Sequence, residues 1–184
     1  MISERYAYLG VSTVDLDSYY YDRGYLSAAE RARVNYDEPA AIDHDLLLSQ
    51  LEHLASGQSI EKPRYLFGTH TRSAEVDLVL PAPIIIIEGL LALWEPRVCA
   101  LMGLKLYCDA DADLRFIRRL RRDIQERGRT AQSVIEQYLC TVRPMHEMHV
   151  EPTKRNADLV VDTSSQLDAS LFQAVDRSLA RRGV

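Results

Sequence analysis

The sequence predicts an α/β protein whose helices alternate with the strands of a parallel sheet. The segment Ile84–Ile87 consists of isoleucine alone, which is typical of a strand buried on both faces of such a sheet. Other strand-like segments alternate along the chain with segments whose apolar residues recur at helical spacing. The chain has 184 residues, 47% of them hydrophobic and 27% charged, and no linker or repeat divides it. We therefore expect residues 1–184 to form a single domain.

The first half of the predicted fold contains a strand and two helices with clear start signals. Val11–Leu16 is rich in apolar residues and predicts a strand. Ser27 followed by Glu30 is a capping-box pattern at the start of a helix. Asp43 can cap the next helix, which Gly57 should end. The apolar positions of that second helix are Leu46, Leu47, Leu51 and Leu54.

A β-hairpin is predicted between this second helix and the isoleucine strand. Residues 60–65 and 75–80 each alternate apolar and polar side chains, and polar residues dominate between them. We therefore expect a hairpin arm over about residues 59–81, with a long loop joining its two strands.

The second half continues the alternation of strands and helices. Leu104–Cys108 predicts a strand that leads into an arginine-rich helix. Thr130 can begin a further helix, which Pro144 should kink or break. Leu159–Val161 predicts a short last strand, and residues 168–181 predict a terminal helix.

The arginine-rich helix is the strongest charge feature of a chain whose net charge is -5. Seven arginines fall between Arg115 and Arg129, and Gly128 should end the helix. A guanidinium group matches two phosphate oxygens at once, so this face suggests a site for highly charged anions. The alternative is a solvated helix face whose charge is balanced by Asp123 and Glu126. The apolar stripe of the helix is Leu114, Ile117, Leu120 and Ile124.

Carboxylates follow two of the predicted parallel strands. Asp17 follows the first strand, and Glu88 follows the isoleucine strand. Ligands of open parallel sheets bind beyond the carboxyl ends of the strands. A carboxylate there can accept a hydroxyl proton or hold magnesium through water, although each acid alone could equally cap a helix or a turn. Arginines suited to phosphate, such carboxylates and a parallel sheet together suggest phosphoryl transfer.

Short motifs in a fixed order carry a resemblance to a known family. The motifs are Asp17-Ser18-Tyr19-Tyr20, Asn35-Tyr36-Asp37-Glu38-Pro39, Tyr65 with His70-Thr71-Arg72, Ile87-Glu88-Gly89, Arg118-Arg119 with Arg122-Asp123, Glu126-Arg127-Gly128-Arg129, Gln137-Tyr138, and Pro152-Thr153-Lys154 with Ala157-Asp158. Any one motif is weak, whereas the ordered set is highly specific. On these motifs, from about residue 12 to about residue 161, the chain resembles uridine-cytidine kinases of the phosphoribulokinase/uridine kinase group, which have the fold of P-loop kinases.

The resemblance implies a nucleoside site in the first half of the chain. Asp17 corresponds to the base that faces the nucleoside 5′-hydroxyl, and Tyr20 lies beside it. Asp37 corresponds to the acceptor of the ribose hydroxyls, a role that suits an ionised carboxylate. Tyr65 and His70, on the hairpin arm, correspond to the residues that stack on the pyrimidine and hydrogen-bond to it.

The resemblance also implies roles for the arginine-rich half. Arg119, Arg129 and Gln137 correspond to further nucleoside contacts. Arg122 and Arg127 correspond to lid arginines that meet the phosphates of ATP.

The implied reaction is phosphorylation of the 5′-hydroxyl of uridine or cytidine, which gives UMP or CMP. ATP or GTP would be the phosphate donor with magnesium, and Glu88 corresponds to the acid near the metal, with an indirect contact through water. A sibling kinase of the same fold that acts on another small alcohol is a second enzyme hypothesis. The arm with Tyr65 and His70, and the close match around Asp37, argue against it.

The glycine-rich phosphate loop of such kinases is not in this sequence. No Gly-x-x-x-x-Gly-Lys-Ser/Thr occurs, and none of the three lysines follows a glycine. We therefore expect an N-terminally incomplete form of an active enzyme, with the first, central strand and its loop absent and with impaired ATP binding. That absence would leave Ile84–Ile87 and Leu104–Cys108 beside a gap in the sheet. The alternative is a non-catalytic relative that binds a nucleoside or a partner protein, and the retained Asp17 argues against it.

Charge and composition disfavour several other partners. Lys and Arg together number 22 and Asp and Glu 27, so nucleic-acid binding is not favoured. No apolar run approaches the length of a membrane span. Three widely spaced cysteines fit neither a disulfide framework nor a zinc site, which indicates a reducing cytoplasm. The sequence leaves open whether the chain forms a homo-oligomer.

Overall fold

The computed structural model describes residues 2–164 and 169–183, which form two compact units. The first unit comprises residues 2–102 with Gly183, and the second comprises Gly103–Arg182. Each unit contains a parallel strand pair together with helices. This arrangement confirms the predicted α/β class.

The first unit contains four strands and four α-helices. The strands are β1 (Val11–Asp15), β2 (Ile60–Leu66), β3 (Thr71–Val79) and β4 (Ile84–Glu88). The α-helices are α1 (Ile2–Arg5), α2 (Ala28–Arg31), α3 (His44–Ala55) and α4 (Pro96–Leu101). Short 3₁₀ helices lie at Ala7–Leu9, Leu16–Tyr19 and Pro39–Ala41.

The second unit contains two strands among a larger share of helix. The strands are β5 (Leu106–Asp109) and β6 (Leu159–Asp162). The α-helices are α5 (Ala112–Gln125), α6 (Ala131–Gln137), α7 (Arg143–Met145) and α8 (Ala169–Arg182). Wider π-helical turns occupy Tyr138–Val142 and His146–Val150, and a 3₁₀ helix occupies Glu151–Asn156.

Strands β1 and β4 form a parallel pair that brings two acids to the same edge. Val11 lies opposite Ile84 at one end of the pair, and Asp15 lies opposite Glu88 at the other. The prediction that Ile84–Ile87 is buried on both faces is wrong, because all four isoleucines are only half-buried. Within the described residues β1 is the one strand that pairs with β4, and a strand with a single neighbour leaves more of its surface open.

Strands β5 and β6 form the second parallel pair, with Leu106 opposite Leu159 and Asp109 opposite Asp162. Both strands agree with the sequence prediction, although β5 begins two residues later than the apolar pattern suggests. In the described part of the chain neither strand pairs with any other.

The helix starts of the first unit follow the sequence signals. Ser27 accepts a hydrogen bond from the backbone N–H of Glu30, whose side chain accepts one from the Ser27 N–H, so the predicted capping box is present. The Asp43 carboxylate accepts a hydrogen bond from the Leu46 N–H at the start of α3. The stripe of α3 supplies part of the core through its buried side chains Leu47, Leu51 and Leu54.

The hairpin arm is present, but the predicted long loop is wrong. Strands β2 and β3 pair from Ile60 opposite Val79 to Leu66 opposite Thr71, so only residues 67–70 form the turn. The pairing continues past the alternating segments because polar side chains at the arm tip can remain solvated while the backbone ladder forms.

Helix α5 forms as predicted, but the residue that it buries is charged rather than apolar. Ile117 and Ile124, from the apolar stripe, are 40% and 41% exposed. Asp123 is instead the only buried residue of this helix, all of whose residues the structure describes. The apolar periodicity therefore predicts the helix correctly but not the residue that it buries.

Pro144 does not end the helical region that Thr130 begins. The Thr130 hydroxyl caps α6 by accepting a hydrogen bond from the Ser133 N–H. Pro144 then lies in α7 between the two π-helical segments. Wider turns of this kind accommodate a residue that has no N–H to donate.

The terminal helix α8 covers most of the predicted range, and residue 168 lies outside the described residues. Its buried side chains include Leu171 and Val175. Across the described ranges, no helix combines the length and apolar character that crossing a bilayer requires.

Candidate functional site

The carboxyl ends of β1 and β4 carry a cluster of acids. Asp15 ends β1 directly opposite Glu88, and Asp17 lies in the 3₁₀ helix that follows. In that short helix Leu16 and Tyr19 are buried, which leaves Asp17 half-exposed at the edge of the sheet. The negative charges of this cluster therefore lie where ligands of parallel sheets bind.

Close backbone approach makes this acidic edge possible. Gly89 follows Glu88 with φ +149°, and a Cβ atom added there would lie 2.5 Å from the Cβ atom of Leu16. Glycine is thus required where the segment that carries Asp17 crosses the end of β4.

A buried cation from the hairpin arm faces the same cluster. Lys62, on β2, is 8% exposed, and its Nζ contacts Asp15 directly and lies 2.9 Å from the Ser18 Oγ. Asp77 from β3 adds a second carboxylate at 3.8 Å from Nζ. The Ser18 hydroxyl also donates to Asp15, so the carboxylate next to the candidate site is fixed from two sides.

The electrostatics of the cluster suit a cation. Partial burial raises the pKa of Glu88, and the negative charges of Asp17 and Asp15 raise it further. No three His, Cys, Asp or Glu side chains converge as metal ligands in residues 2–164 or 169–183. Magnesium commonly keeps several waters and takes only one or two carboxylates, so a water-mediated contact to Glu88 fits this arrangement.

Four aromatic rings form a cluster in the same unit. The Tyr20 ring lies 5.2 Å from that of Tyr65 and 5.6 Å from that of Tyr36. Tyr36 stacks on His70 with a centroid distance of 4.6 Å and an interplanar angle of 12°. Tyr65 and His70 come from the arm, whereas Tyr20 and Tyr36 come from the segment after β1. Such a cluster offers ring faces and edges suited to a flat heterocycle.

The arm tip has a defined backbone geometry. His70 adopts φ 55°, in the left-handed region that few non-glycine residues occupy, and its N–H donates to the Leu66 carbonyl at 2.8 Å. The Arg31 Nε donates to the Thr69 carbonyl at 2.8 Å, and the Arg72 Nε donates to the Tyr20 carbonyl at the same distance. These two arginines tie the tip of the arm to the segment after β1.

The pKa shifts of the aromatic cluster favour neutral side chains. Burial lowers the pKa of His70, and the nearby Arg31 charge lowers it further. Burial raises the pKa of the Tyr65 hydroxyl, and the Tyr36 hydroxyl adds to the rise. A neutral imidazole has one donor and one acceptor nitrogen, so it can match the mixed donors and acceptors of a pyrimidine edge.

Asp37 follows directly on Tyr36 in the aromatic cluster. Its backbone N–H donates to the Asn35 Oδ1 at 3.1 Å, and the Tyr36 hydroxyl donates to the Arg31 carbonyl at 3.2 Å. This turn holds the half-buried Asp37 next to the rings.

The second unit holds a cluster of arginines around one carboxylate. Asp123 has no exposed side-chain surface, and the Arg122 Nη2 donates to its Oδ1 at 2.9 Å. The Asp123 Oδ2 lies 3.5 Å from the Arg129 Nη1 and 3.7 Å from the Arg119 Nε. The Arg127 Nη1 lies 3.7 Å from Oδ1. We call these four arginines with Asp123 the arginine cluster.

Gln137 joins two members of the arginine cluster. Its Oε1 accepts a hydrogen bond from the Arg119 Nη2 at 3.0 Å and another from the Arg129 Nη1. The Arg129 Nη2 also donates to the Ser133 carbonyl at 3.1 Å. Arg119 and Arg129 are therefore linked through hydrogen bonds to the same Gln137 oxygen.

The residues expected from the sequence thus fall into two groups, one in each unit. The first unit brings together Asp17 with Glu88, and Tyr20 with Tyr65, His70 and the loop that carries Asp37. The second unit brings together Arg119, Arg122, Arg127, Arg129 and Gln137.

The sequence analysis assigns no role in these sites to three residues that the structure places there. Lys62 has a signal, because it is a charged residue at an inward position of an otherwise alternating strand. Asp123 has one as well, since arginines lie four residues before it and four after it. Tyr36 is only part of a motif in the sequence, and its stacking on His70 depends on the tertiary fold.

Comparison with known proteins agrees with this fold and these motifs. The sequence profile of the Phosphoribulokinase / Uridine kinase family matches residues 6–170. A uridine kinase of Halalkalibacterium halodurans is 53% identical over 153 residues, which are 83% of this chain and 72% of the relative. A uridine kinase of Chloroflexus aurantiacus is 51% identical over 150 residues, which are 82% of this chain and 72% of the relative.

Solved structures share the fold at low sequence identity. Phosphoribulokinase from Rhodobacter spheroides matches with a TM-score of 0.65 and 16% identity, over 86% of this chain and 62% of its own. A possible uridine kinase from Bacillus stearothermophilus matches with a TM-score of 0.53 and 20% identity, over 86% of this chain and 76% of its own. The fold class is therefore that of P-loop kinases, and the chain belongs to the phosphoribulokinase/uridine kinase family.

Proposed function

We propose that this chain acts in the phosphorylation of uridine or cytidine at the 5′-hydroxyl, with ATP or GTP as the phosphate donor. The observation that carries the proposal is the aromatic cluster of Tyr20, Tyr36, Tyr65 and His70, in the unit whose parallel strands β1 and β4 end in acids. Relatives that are named uridine kinases and are about half identical over most of the chain support it.

In this proposal residues of the first unit recognise the ribose and the base. Asp37 accepts hydrogen bonds from the ribose hydroxyls, while Tyr65 and His70 close over the base. A neutral His70 suits a pyrimidine, because one imidazole nitrogen can donate while the other accepts.

Asp17 then accepts the proton of the nucleoside 5′-hydroxyl as that oxygen attacks the terminal phosphorus of the donor. The bond from that phosphorus to the oxygen that bridges it to the β-phosphate breaks, and the nucleoside diphosphate leaves. A carboxylate beyond the end of a parallel strand is well placed for this step. Magnesium, when bound, would neutralise phosphate charge, and Glu88 would hold it through water. The exposed Arg122 and Arg127 would meet the donor phosphates, while Arg119, Arg129 and Gln137 would contact the nucleoside. The retained Asp17 favours this role over that of a non-catalytic nucleoside-binding relative.

Nucleoside selectivity tests the proposal directly. Isothermal titration calorimetry of the chain should show uridine or cytidine binding at least about tenfold more tightly than 2′-deoxyuridine and adenosine. With 2′-deoxyuridine the missing hydroxyl leaves an acceptor of the site unpaired. Adenosine keeps both ribose hydroxyls, and its larger purine should not fit a site that closes over a pyrimidine. The Asp37→Asn variant should lose the preference over 2′-deoxyuridine, whereas Glu38→Gln serves as the neighbouring control. Equal affinity for adenosine would refute the pyrimidine assignment.

The chemical role of Asp17 has its own test. Because the sequence has no Gly-x-x-x-x-Gly-Lys-Ser/Thr segment, turnover of the 184-residue chain should be low, and the assay should be a sensitive radiolabelled one. Asp17→Asn should reduce UMP formation about 100-fold or more and change uridine affinity much less. Unchanged turnover in that variant would show that another group takes the proton.

A further inference from the structure

The arginine cluster contains a carboxylate that the proposed reaction does not use. Asp123 is completely buried, yet it lies within 4 Å of four guanidinium groups. Four arginines and one aspartate give the cluster a formal charge of +3. Such an excess is suited to a polyanion.

The geometry around Asp123 orients the arginines individually. Arg122 donates through both Nε and Nη2 to the same Asp123 Oδ1, at 3.0 and 2.9 Å. Arg119 and Arg129 lie between the Asp123 Oδ2 on one side and the Gln137 Oε1 on the other. The backbone carbonyl of Asp123 also accepts a hydrogen bond from the Arg129 N–H at 3.1 Å. One residue therefore fixes guanidinium groups from α5 and from the loop that follows it.

Burial divides the four arginines into two pairs. The side chains of Arg119 and Arg129 are 20% and 29% exposed, whereas those of Arg122 and Arg127 are 43% and 47% exposed. The inner pair is held from two sides, and the outer pair presents more surface to a ligand. A guanidinium group has five N–H donors, so contact with one carboxylate oxygen leaves capacity for phosphate oxygens.

We propose that Asp123 is a positioning residue that holds Arg122 and Arg127 in a preorganised site for a polyphosphate. This inference rests on the proposed function, in which those two arginines meet the donor phosphates. Asp123 does not touch the ligand. Its buried charge keeps four mutually repelling cations in one arrangement, so the entropy of ordering them is already lost before the anion binds.

This inference and simple charge counting predict opposite changes in anion affinity for the substitution Asp123→Asn. Asp123→Asn makes the cluster more positive by one charge and removes a competitor for the guanidinium groups, so charge alone would tighten anion binding. If Asp123 positions the arginines, the same variant should bind a polyphosphate more weakly. Its amide keeps one acceptor oxygen and replaces the other with an N–H₂ donor, so either the fork of Arg122 at Oδ1 or the contacts of Arg119 and Arg129 at Oδ2 are lost. The oxygen that remains is neutral and holds its guanidinium groups more weakly.

Inorganic tripolyphosphate is the probe, with affinity measured by titration calorimetry on the folded 184-residue chain. Glu126→Gln is the matched control, because it removes one acidic charge from the exposed end of the same segment. We expect Asp123→Asn to raise the Kd for tripolyphosphate at least about tenfold over the control variant, the scale of losing one charge-assisted hydrogen bond. A purely structural role would lower its Tm but leave the Kd of the folded variant equal to that of the control, and this result would overturn the inference.

Asp123→Glu decides the matter if Asp123→Asn does not fold. It preserves the charge but extends the side chain by one methylene in a site with no exposed surface, so only the positions of the guanidinium groups change. A rise of at least about fivefold in Kd supports the inference, and wild-type affinity overturns it. Titration of uridine into the same samples separates the two proposals. If the wild-type chain binds uridine but Asp123→Asn and Glu126→Gln have the same Kd for tripolyphosphate, the inference about Asp123 alone is refuted. A wild-type chain that binds neither ligand refutes both.

Discussion

Replacement of Gly89 by alanine should lower the free energy of unfolding, because the added side chain would collide with Leu16 at the acidic edge of the first unit. The added Cβ would lie 2.5 Å from the Leu16 Cβ, whereas carbon atoms normally pack at about 3.5–4.0 Å. An overlap of more than about 1 Å must therefore be relieved. Leu16 is 1% exposed, so it has little room to move away.

Two costs add at this position. Overpacking of a filled core costs about 1–3 kcal/mol, and a side chain at φ +149° adds backbone strain of about 1–3 kcal/mol. We expect a loss of about 4 kcal/mol in the free energy of unfolding, which is a large part of the roughly 5–15 kcal/mol that stabilises a typical domain. Any movement of Leu16 also displaces Asp17, so uridine affinity should fall with stability.

Urea unfolding monitored by the fluorescence of Trp94, the only tryptophan and a residue of the first unit, measures this loss. Gly57→Ala is the control, because Gly57 has φ +83° but no atom within 4 Å of the position that a Cβ would take. It should cost only about 1–2 kcal/mol from backbone conformation. If the two variants unfold at the same urea concentration with equal m-values, steric contact with Leu16 is not the reason for glycine at position 89.

Three further predictions concern the arm and its contacts. Lys62→Met should lower the free energy of unfolding in urea by about 2–3 kcal/mol, because it leaves the half-buried Asp15 without its cation. The control Lys105→Met, at a more exposed ion pair, should cost under about 1 kcal/mol, and equal losses would contradict the burial argument. His70→Gly should be about 1 kcal/mol more stable than His70→Ala, because only glycine is unstrained at φ 55°. Calorimetry should show that both variants bind uridine at least about tenfold more weakly than the wild-type chain, and retained affinity would remove His70 from the site. Since burial lowers the pKa of His70 below 6.5, the unfolded chain takes up the proton at a higher pH than the folded chain, so stability should fall as the pH drops below about 6.5. Urea unfolding between about pH 7.5 and 5 should show a smaller fall for His70→Gln, and identical profiles would indicate that other histidines cause it.

Local signals in the sequence predict most elements because their causes are local. The capping box at Ser27 and the cap at Asp43 depend on hydrogen bonds within one helical turn. The stripe of α3 follows from side-chain periodicity. The ordered motifs predict the family, which the family profile and the relatives confirm.

Sequence predictions are wrong where a neighbour, rather than a local pattern, decides the structure. Ile84–Ile87 has the composition of a fully buried strand, but its burial depends on how many strands pair with it. The predicted long loop of the arm is absent, because alternation in the sequence stops before the backbone pairing does. Polar residues at the arm tip lose the apolar signal without losing their hydrogen bonds.

Spacing along the chain predicts most of the helices and strands, the order of the motifs and the residue types available for chemistry. Which charges are buried depends on the tertiary structure. Asp123 and Lys62 have the composition of surface residues, yet one lies at the centre of four arginines and the other among carboxylates. The partner of Lys62, Asp15, comes from a distant segment, so no local pattern shows that this lysine is buried. The arginines around Asp123 are close in sequence, but their spacing does not distinguish a buried carboxylate from one on a solvated helix face.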